Sequence, residues 1–293
     1  NRVLLLEAGP RDRYVWIHVP IGYGKTMFHP VYNWGFHTEP EPGMNDRRIY
    51  WPRGRVLGGS SSINGLIFIR GQREDYEHWA ELGNRGWGWS EVLPYFIRSE
   101  GNQRGASQYH GADGPQAASD IGAKHELVEA FIRGAVEQGV PRNDDFNGAV
   151  QEGVGYYQLA TRNGLRSSGA TAYLRPARRR GNLRIETNAH VSRIVFEGGR
   201  AVGVEYRQGG RLVTARAKRE VILSAGALQS PQLLQLSGVG PSNLLDQHGI
   251  AVVRELPGVG ENLQDHLQLR LIYRCAKPIT TNDELNSLAG RIK

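Results

Sequence analysis

The stretch Val3-Leu4-Leu5-Leu6-Glu7-Ala8-Gly9-Pro10 reads as one strand and the turn that ends it. Four apolar residues in succession show no alternation. Both faces of such a strand are apolar, as in a parallel sheet covered on both sides. Ala-Gly-Pro then breaks the run. A strand of this kind points to the α/β class, in which helices pack against a parallel sheet.

Further along, the spacing predicts strands over 183–185, 191–196, 201–206, 212–217 and 220–223. Gly198-Gly199 and Gly209-Gly210 separate three of them and supply the positive φ angles that hairpin turns need, which reads as a β-meander feeding a final apolar strand. The last runs into Ala225-Gly226-Ala227. Ser230-Pro231 then opens the helical run QLLQL, with proline at the first helical position. This strand–turn–helix unit could face an anion, although plain βα packing is the commoner fate of such units. The chain is therefore α/β in its sheet and α+β overall.

Helices are expected over 74–82, from Ser90 as cap to about Arg98, and over 125–138 up to Gly139. Gly169–Leu174 reads as a helix end before Pro176. Residues 101–120, rich in Gly, Gln and Ala, read as a surface connection.

The 293 residues carry 39% hydrophobic and 22% charged side chains, which excludes general disorder. The net charge of +7 raises nucleic-acid binding. The most basic stretch, Arg175 with Arg178, Arg179 and Arg180, lacks interleaved aromatics and any reading motif. It reads as a solvated face, and no nucleic-acid partner is expected. A basic surface would also suit anionic lipids at a membrane surface. Cys275 is the single cysteine, so no internal disulfide or cysteine-rich zinc site can form. That usage suits a reducing, cytoplasmic setting. No run reaches the roughly 18 apolar residues of a membrane span.

Two places carry candidate chemistry. Glu7 ends its strand where a Rossmann-type site keeps an acid for the ribose hydroxyls. Taken alone, an ordinary strand-ending acid is the commoner case. The second place is Gly54-Arg55-Val56-Leu57-Gly58-Gly59-Ser60-Ser61-Ser62-Ile63-Asn64-Gly65. Its glycines free the backbone and its serines offer donors that could wrap a phosphate or the polar edge of a flavin. On composition, linker and site stand about even.

Residues 54–77 resemble the first signature of the glucose–methanol–choline (GMC) oxidoreductases. Residues 226–240, GALQSPQLLQLSGVG, resemble the second. LLLEAG from Leu4, WAELGNRGWGWSEVLPYF from Trp79, YHGADGP from Tyr109, NLRIETNAHVSRI from Asn182 and GVGENLQDH from Gly258 are also similar to that family, closest to its choline-dehydrogenase-like branch. Residues 119–165 are the least distinctive.

The resemblance implies a Rossmann-like FAD-binding domain over 1–118 and 166–266, and part of a substrate-binding domain over 119–165 and 267–293. It implies that Glu7 holds the adenosine ribose and that Arg55, Val56, Gly58, Gly59 and Ser60 run along the pyrophosphate and flavin. Asn64, Gly65, Leu66 and Ile67 would approach the isoalloxazine ring, and the Val191 backbone the adenine. Ala225 and Gly226 would close the wall, with Asn262, Asp265 and His266 near the FAD. Some members attach FAD through a histidine just before the motif asparagine. Here that position is Ile63, so FAD is expected to bind non-covalently.

The implied reaction oxidises an alcohol to a carbonyl by hydride transfer to flavin N5. An acceptor (a quinone, a dye-like carrier or oxygen) then takes the electrons. An oxygen-using oxidase and a GMC-fold lyase are the alternatives. The family's histidine base is expected beyond Lys293, so this chain alone should be inactive and poorly soluble, and no catalytic residue is assigned in it. His18, His29, His37, His78, His110, His125, His190 and His248 show no metal spacing and read as surface or packed structural residues. His266 follows Asp265, but adjacent side chains of a strand point apart.

Overall fold

The computed structural model describes residues 1–286. Strand β1 (Val3–Glu7) leads into an irregular stretch with short helical turns. Helices α1 (Arg73–Glu81) and α2 (Trp89–Ser99) follow. Next come β2 (Glu100–Asn102), β3 (Gln116–Ala118) and α3 (Glu126–Glu137). After β4 (Leu183–Thr187) stands the meander β5 (His190–Glu197), β6 (Arg200–Gln208) and β7 (Arg211–Arg216). Helix α4 (Gln229–Leu236), β8 (Val239–Gly240), α5 (Ser242–Gln247) and β9 (Arg254–Glu255) complete the parts used below.

β1 pairs with β4 in parallel, Val3 opposite Leu183 through Glu7 opposite Thr187. A strand at one end of the chain thus lies beside one nearly 180 residues later. Everything between them forms the crossover. The meander is antiparallel in the order β7-β6-β5, and β8 and β9 form a further parallel pair. The mixture of parallel pairs, helices and meander is the expected α/β class. The diglycines turn as expected, with φ of 55° and 78° at Gly198 and Gly199.

Ile17, Val56 and Ile63 form an apolar core cluster, with Tyr14 and Tyr32 packed against it. Full burial of side chains such as Ile17 and Val56 contributes about 1.5–3 kcal/mol each. Under the meander, Ile194, Tyr206 and Leu233 are buried. There the Ile194 amide donates to the Ser237 hydroxyl just past α4 (2.8 Å).

Several local expectations are corrected. Residues 101–120 are a surface connection only in part, exposed at Gln103, Arg104, Ala106, Ser107, Gln108, Ala112 and Asp113. Asn102, His110, Ala117 and Ala118 are buried, next to the buried Glu100. The small residues there serve close packing, since a Cβ on Gly111 would lie 1.9 Å from the Ile97 carbonyl oxygen. Residues 220–223 join no ladder among the described residues, and Ile222 is 76% exposed. A β-like run becomes a strand only when another strand offers its backbone groups. β1 itself is paired with β4 only, and Val3 and Leu4 stay exposed. Helix α2 is capped by Gly88, not Ser90, and the Glu91 carboxylate accepts the Gly88 amide (3.1 Å). Pro231 sits in the third position of α4, still within the first turn, where its missing N–H costs no helical bond. The helix at 169–174 does not end before Pro176. It widens to a π turn over Ala170–Leu174 and continues through Pro176.

Among the described residues, no helix is long and apolar enough to cross a membrane. None of their His, Cys, Asp and Glu side chains gather in a group of three or more placed to hold a metal.

Candidate functional site

The site starts at the end of β1. The Glu7 carboxylate turns back and accepts the Gly9 amide (2.8 Å). Burial pushes its pKa up to about 7, against the opposing pull of that amide and of Arg55. The turn after Glu7 lies directly on the 54–65 loop. Leu57 N donates to Pro10 O (3.0 Å), and a Cβ at Gly9 would meet the Arg55 carbonyl oxygen at 2.0 Å. Ala189 N donates to Glu7 O (2.9 Å), which brings the start of β5 to the same place. There the Trp34 and His190 rings stand 5.4 Å apart, and the Arg55 guanidinium lies 5.2 Å from the Trp34 ring centre. Burial first, then the charges of Arg55 and Arg207, holds His190 below the usual histidine range. Buried Arg55 Nε has no hydrogen-bond partner.

The glycine–serine loop is shaped by its own hydroxyls. Ser62 Oγ donates to Leu57 O (2.9 Å), and Ser61 Oγ donates to Gly58 O (2.5 Å) while accepting the Gly169 amide (2.8 Å). Ser60 Oγ accepts the Gly54 amide (3.0 Å). The serines thus hold the loop's curvature, and only Ser60 is exposed. Gly58 and Gly59 both take positive φ, and nothing lies within 4 Å of a Cβ placed on Gly59. Val56 and Leu66 bury their side chains, so only their backbone can meet a ligand. Asn64, Gly65 and Ile67 are exposed. Asn64 Oδ1 accepts from Leu66 N (3.1 Å) and from Arg166 Nη1 (2.7 Å).

Glu7, Arg55, Val56 and the His190–Val191 strand start are therefore brought together, and the loop continues from them with Ser60, Asn64, Gly65 and Ile67 exposed. Val191 pairs with Tyr206 in the meander. Ala225 and Gly226 belong to the turn before α4, where Ala225 N donates to Ser230 Oγ (3.1 Å). Asn262, Asp265 and His266 lie in an exposed irregular stretch, with Asn262 at φ 57°. Asp265 accepts the His266 amide (2.9 Å). No hydrogen bond joins Ala225, Gly226, Asn262, Asp265 or His266 to the first group.

Trp34, His190 and Arg166 were not anticipated as site residues. Their neighbours come from distant parts of the chain, and no local pattern marks them.

The residues match an extended dinucleotide-like ligand. A carboxylate stands at the strand end, a guanidinium nitrogen is left unpaired beside it, and a glycine surface leaves room for close approach.

The family model described as GMC oxidoreductase matches residues 19–268. Choline dehydrogenase, mitochondrial, of Homo sapiens is 49% identical over 287 residues, 96% of this chain and 48% of that protein. Oxygen-dependent choline dehydrogenase of Photobacterium profundum is 45% identical over 289 residues, 98% of this chain and 51% of that protein. Pyridoxine 4-oxidase from Mesorbium loti superposes with a TM-score of 0.83 at 34% identity, covering 88% of this chain and 51% of that one. The chain spans about half the length of the curated relatives it matches. A carboxylate-ended strand laid on a glycine–serine loop, together with a family match over most of the chain, places this chain in the GMC oxidoreductase family.

Proposed function

We propose that the protein carrying this chain is an FAD-dependent oxidoreductase that converts an alcohol to its carbonyl, with a choline-like alcohol as substrate class. The observation that carries this reading is the junction of Glu7, Gly9 and Arg55 with the glycine–serine loop. Bound FAD supplies the hydride-accepting ring. The chain's own part is to bind and orient. The Glu7 carboxylate holds ribose hydroxyls, the 58–60 backbone passes the pyrophosphate, and Asn64 to Ile67 border the ring. Ile63 is 3% exposed and packs with Ile17 and Val56, so its side chain faces the core. Non-covalent binding follows, because an alkyl group offers the ring no nucleophile. Segments 119–165 and 267–293 are assigned to the substrate side, and no base is assigned among the chain's histidines. Anaerobic addition of choline should bleach the bound flavin, and reoxidation in air reads whether oxygen is the acceptor. A fully loaded protein that no alcohol bleaches would overturn the assignment. Acid precipitation should leave the yellow colour in the supernatant.

Glu7 gives this reading a pH signature. Its carboxyl stands at about 7 against an ordinary 4.5, so folding retains a proton on Glu7 between those values. The sign follows from linkage. Its contribution to stability is fully present below the unfolded value near 4.5 and is lost as pH rises through about 7. Ribose hydroxyls donate to the ionised form and pull the pKa down. FAD binding should therefore release a proton, and affinity should weaken as pH falls below about 7. Glu7→Gln should abolish that dependence. Glu7→Ala should weaken FAD binding by about 1–3 kcal/mol. Equilibrium dialysis across pH reads both, and unchanged affinity in Glu7→Ala would reduce Glu7 to a strand end.

A further inference from the structure

Two arginines are buried in the described structure, Arg70 and Arg166. Arg70 is paired with Glu100. Arg166, 3% exposed, has no carboxylate within salt-bridge distance among the described residues. Its Nε donates to Ile17 O (2.7 Å), and its Nη1 donates to Asn64 Oδ1 (2.7 Å) and Ser61 O (3.1 Å). Its Nη2 is buried and has no partner. Burial alone lowers the guanidinium pKa to about 10, so the group remains a cation at neutral pH. A buried cation without a counter-charge is costly, and one with an idle donor more so. An anion brought to the site would offset that cost.

The position of Arg166 says which anion. It holds the exposed end of the glycine–serine loop. Asn64 Oδ1 is fully engaged by Arg166 Nη1 and Leu66 N, so the amide NH2 of Asn64 is left as the outward donor. We propose that Arg166 is the fixed positive charge of the cofactor site: it positions Asn64, and it offsets the negative charge that collects on the pyrimidine edge of the isoalloxazine ring as the ring is reduced. This inference rests on the FAD assignment above. Arg166 is a positioning and tuning residue, since charge near the ring nitrogens sets flavin electronics.

Sulfite tests it directly. Its sulfur lone pair forms a bond to N5 of the oxidised ring, and the added negative charge settles at the pyrimidine edge. No substrate or turnover is needed. FAD content and sulfite affinity are measured in the wild-type protein, Arg166→Gln and Arg166→Lys. The Gln variant should bind sulfite about tenfold or more weakly per bound flavin, while the Lys variant, which keeps the charge, should stay within about threefold. Unchanged sulfite affinity in FAD-loaded Arg166→Gln overturns the proposal and leaves Arg166 as a structural hub. If the Gln variant does not fold, Arg166→Lys decides. It cannot bridge Ile17, Ser61 and Asn64 as a planar fork does, so retained sulfite affinity supports the charge, and a loss as large as that set for Gln overturns it. A wild-type protein that holds no FAD sinks the cofactor assignment itself, and does so before any substitution is made.

Discussion

Arg70→Met is expected to lower folding stability by about 3–5 kcal/mol, the range for removing one partner of a buried ion pair. Glu100 is fully buried, and its Oε2 accepts Arg70 Nη2. Burial pulls the Arg70 guanidinium below its ordinary range, opposed mainly by Glu100 and then Asp145. The pair ties three segments together. Arg70 Nη1 donates to Tyr109 O (2.7 Å), and Arg70 N donates to Asn147 Oδ1 (2.8 Å). His110 lies between two carboxylates, 3.0 Å from Glu100 Oε1 and 2.9 Å from Asp145 Oδ2. Asn102 joins Glu100 to Gln158 (2.9 Å each). Methionine fills the space but leaves the Glu100 charge in the interior. Urea unfolding with an unchanged slope reads the loss. A loss below about 1 kcal/mol would mean that His110 and Asn102 satisfy Glu100 without help. Arg70→Met combined with Glu100→Leu should recover much of the loss, because an apolar pair leaves no orphan charge.

Gly9→Ala should be the other severe change, costing about 3 kcal/mol or more by overpacking. The new Cβ would lie 2.0 Å from Arg55 O, 2.2 Å from Arg55 C and 2.5 Å from Val56 N. All three are backbone atoms, so no side chain can swing aside. Relief requires β1 and the glycine–serine loop to separate, and that separation pulls Glu7 from Arg55. FAD affinity should fall together with the unfolding midpoint. Gly199→Ala is the control. It places alanine at φ 78° in the first hairpin, with nothing within 4 Å of the Cβ. It should cost only the left-handed penalty of about 1–2 kcal/mol and leave cofactor binding unchanged. Equal effects at both positions would show that Gly9 matters for backbone conformation rather than for close approach.

Much of the local structure is legible in the sequence because its causes are local. The meander needs alternating strands and two diglycines, all within 190–216. Helix α3 needs its apolar period and the stop at Gly139, where φ is 90°. Glu7 and the glycine–serine loop are both visible as motifs. Their contact is not, because about 50 residues separate them and it is made by the Leu57–Pro10 bond, the Gly9 close approach and the charge of Arg55 near Glu7.

The rest depended on partners. The run at 220–223 has the composition of a strand and no ladder, since pairing belongs to two segments at once. Residues 101–120 looked like surface because small and polar side chains usually lie there. Asn102, His110, Ala117 and Ala118 are nevertheless inside, where Asn102 links Gln158 to the Arg70, Glu100 and His110 cluster across nearly 90 residues of chain. Arg166 shows the same limit. Nothing in Leu165-Arg166-Ser167 distinguishes it from the chain's other arginines. Its isolation becomes visible only when Ile17, Ser61 and Asn64 close around it and no carboxylate comes with them. Composition and motif thus determined the class of the fold, the family and the candidate ligand loop. Which polar groups are buried, paired or left idle was decided by tertiary contact, because desolvation acts on a group's surroundings and not on its neighbours in sequence.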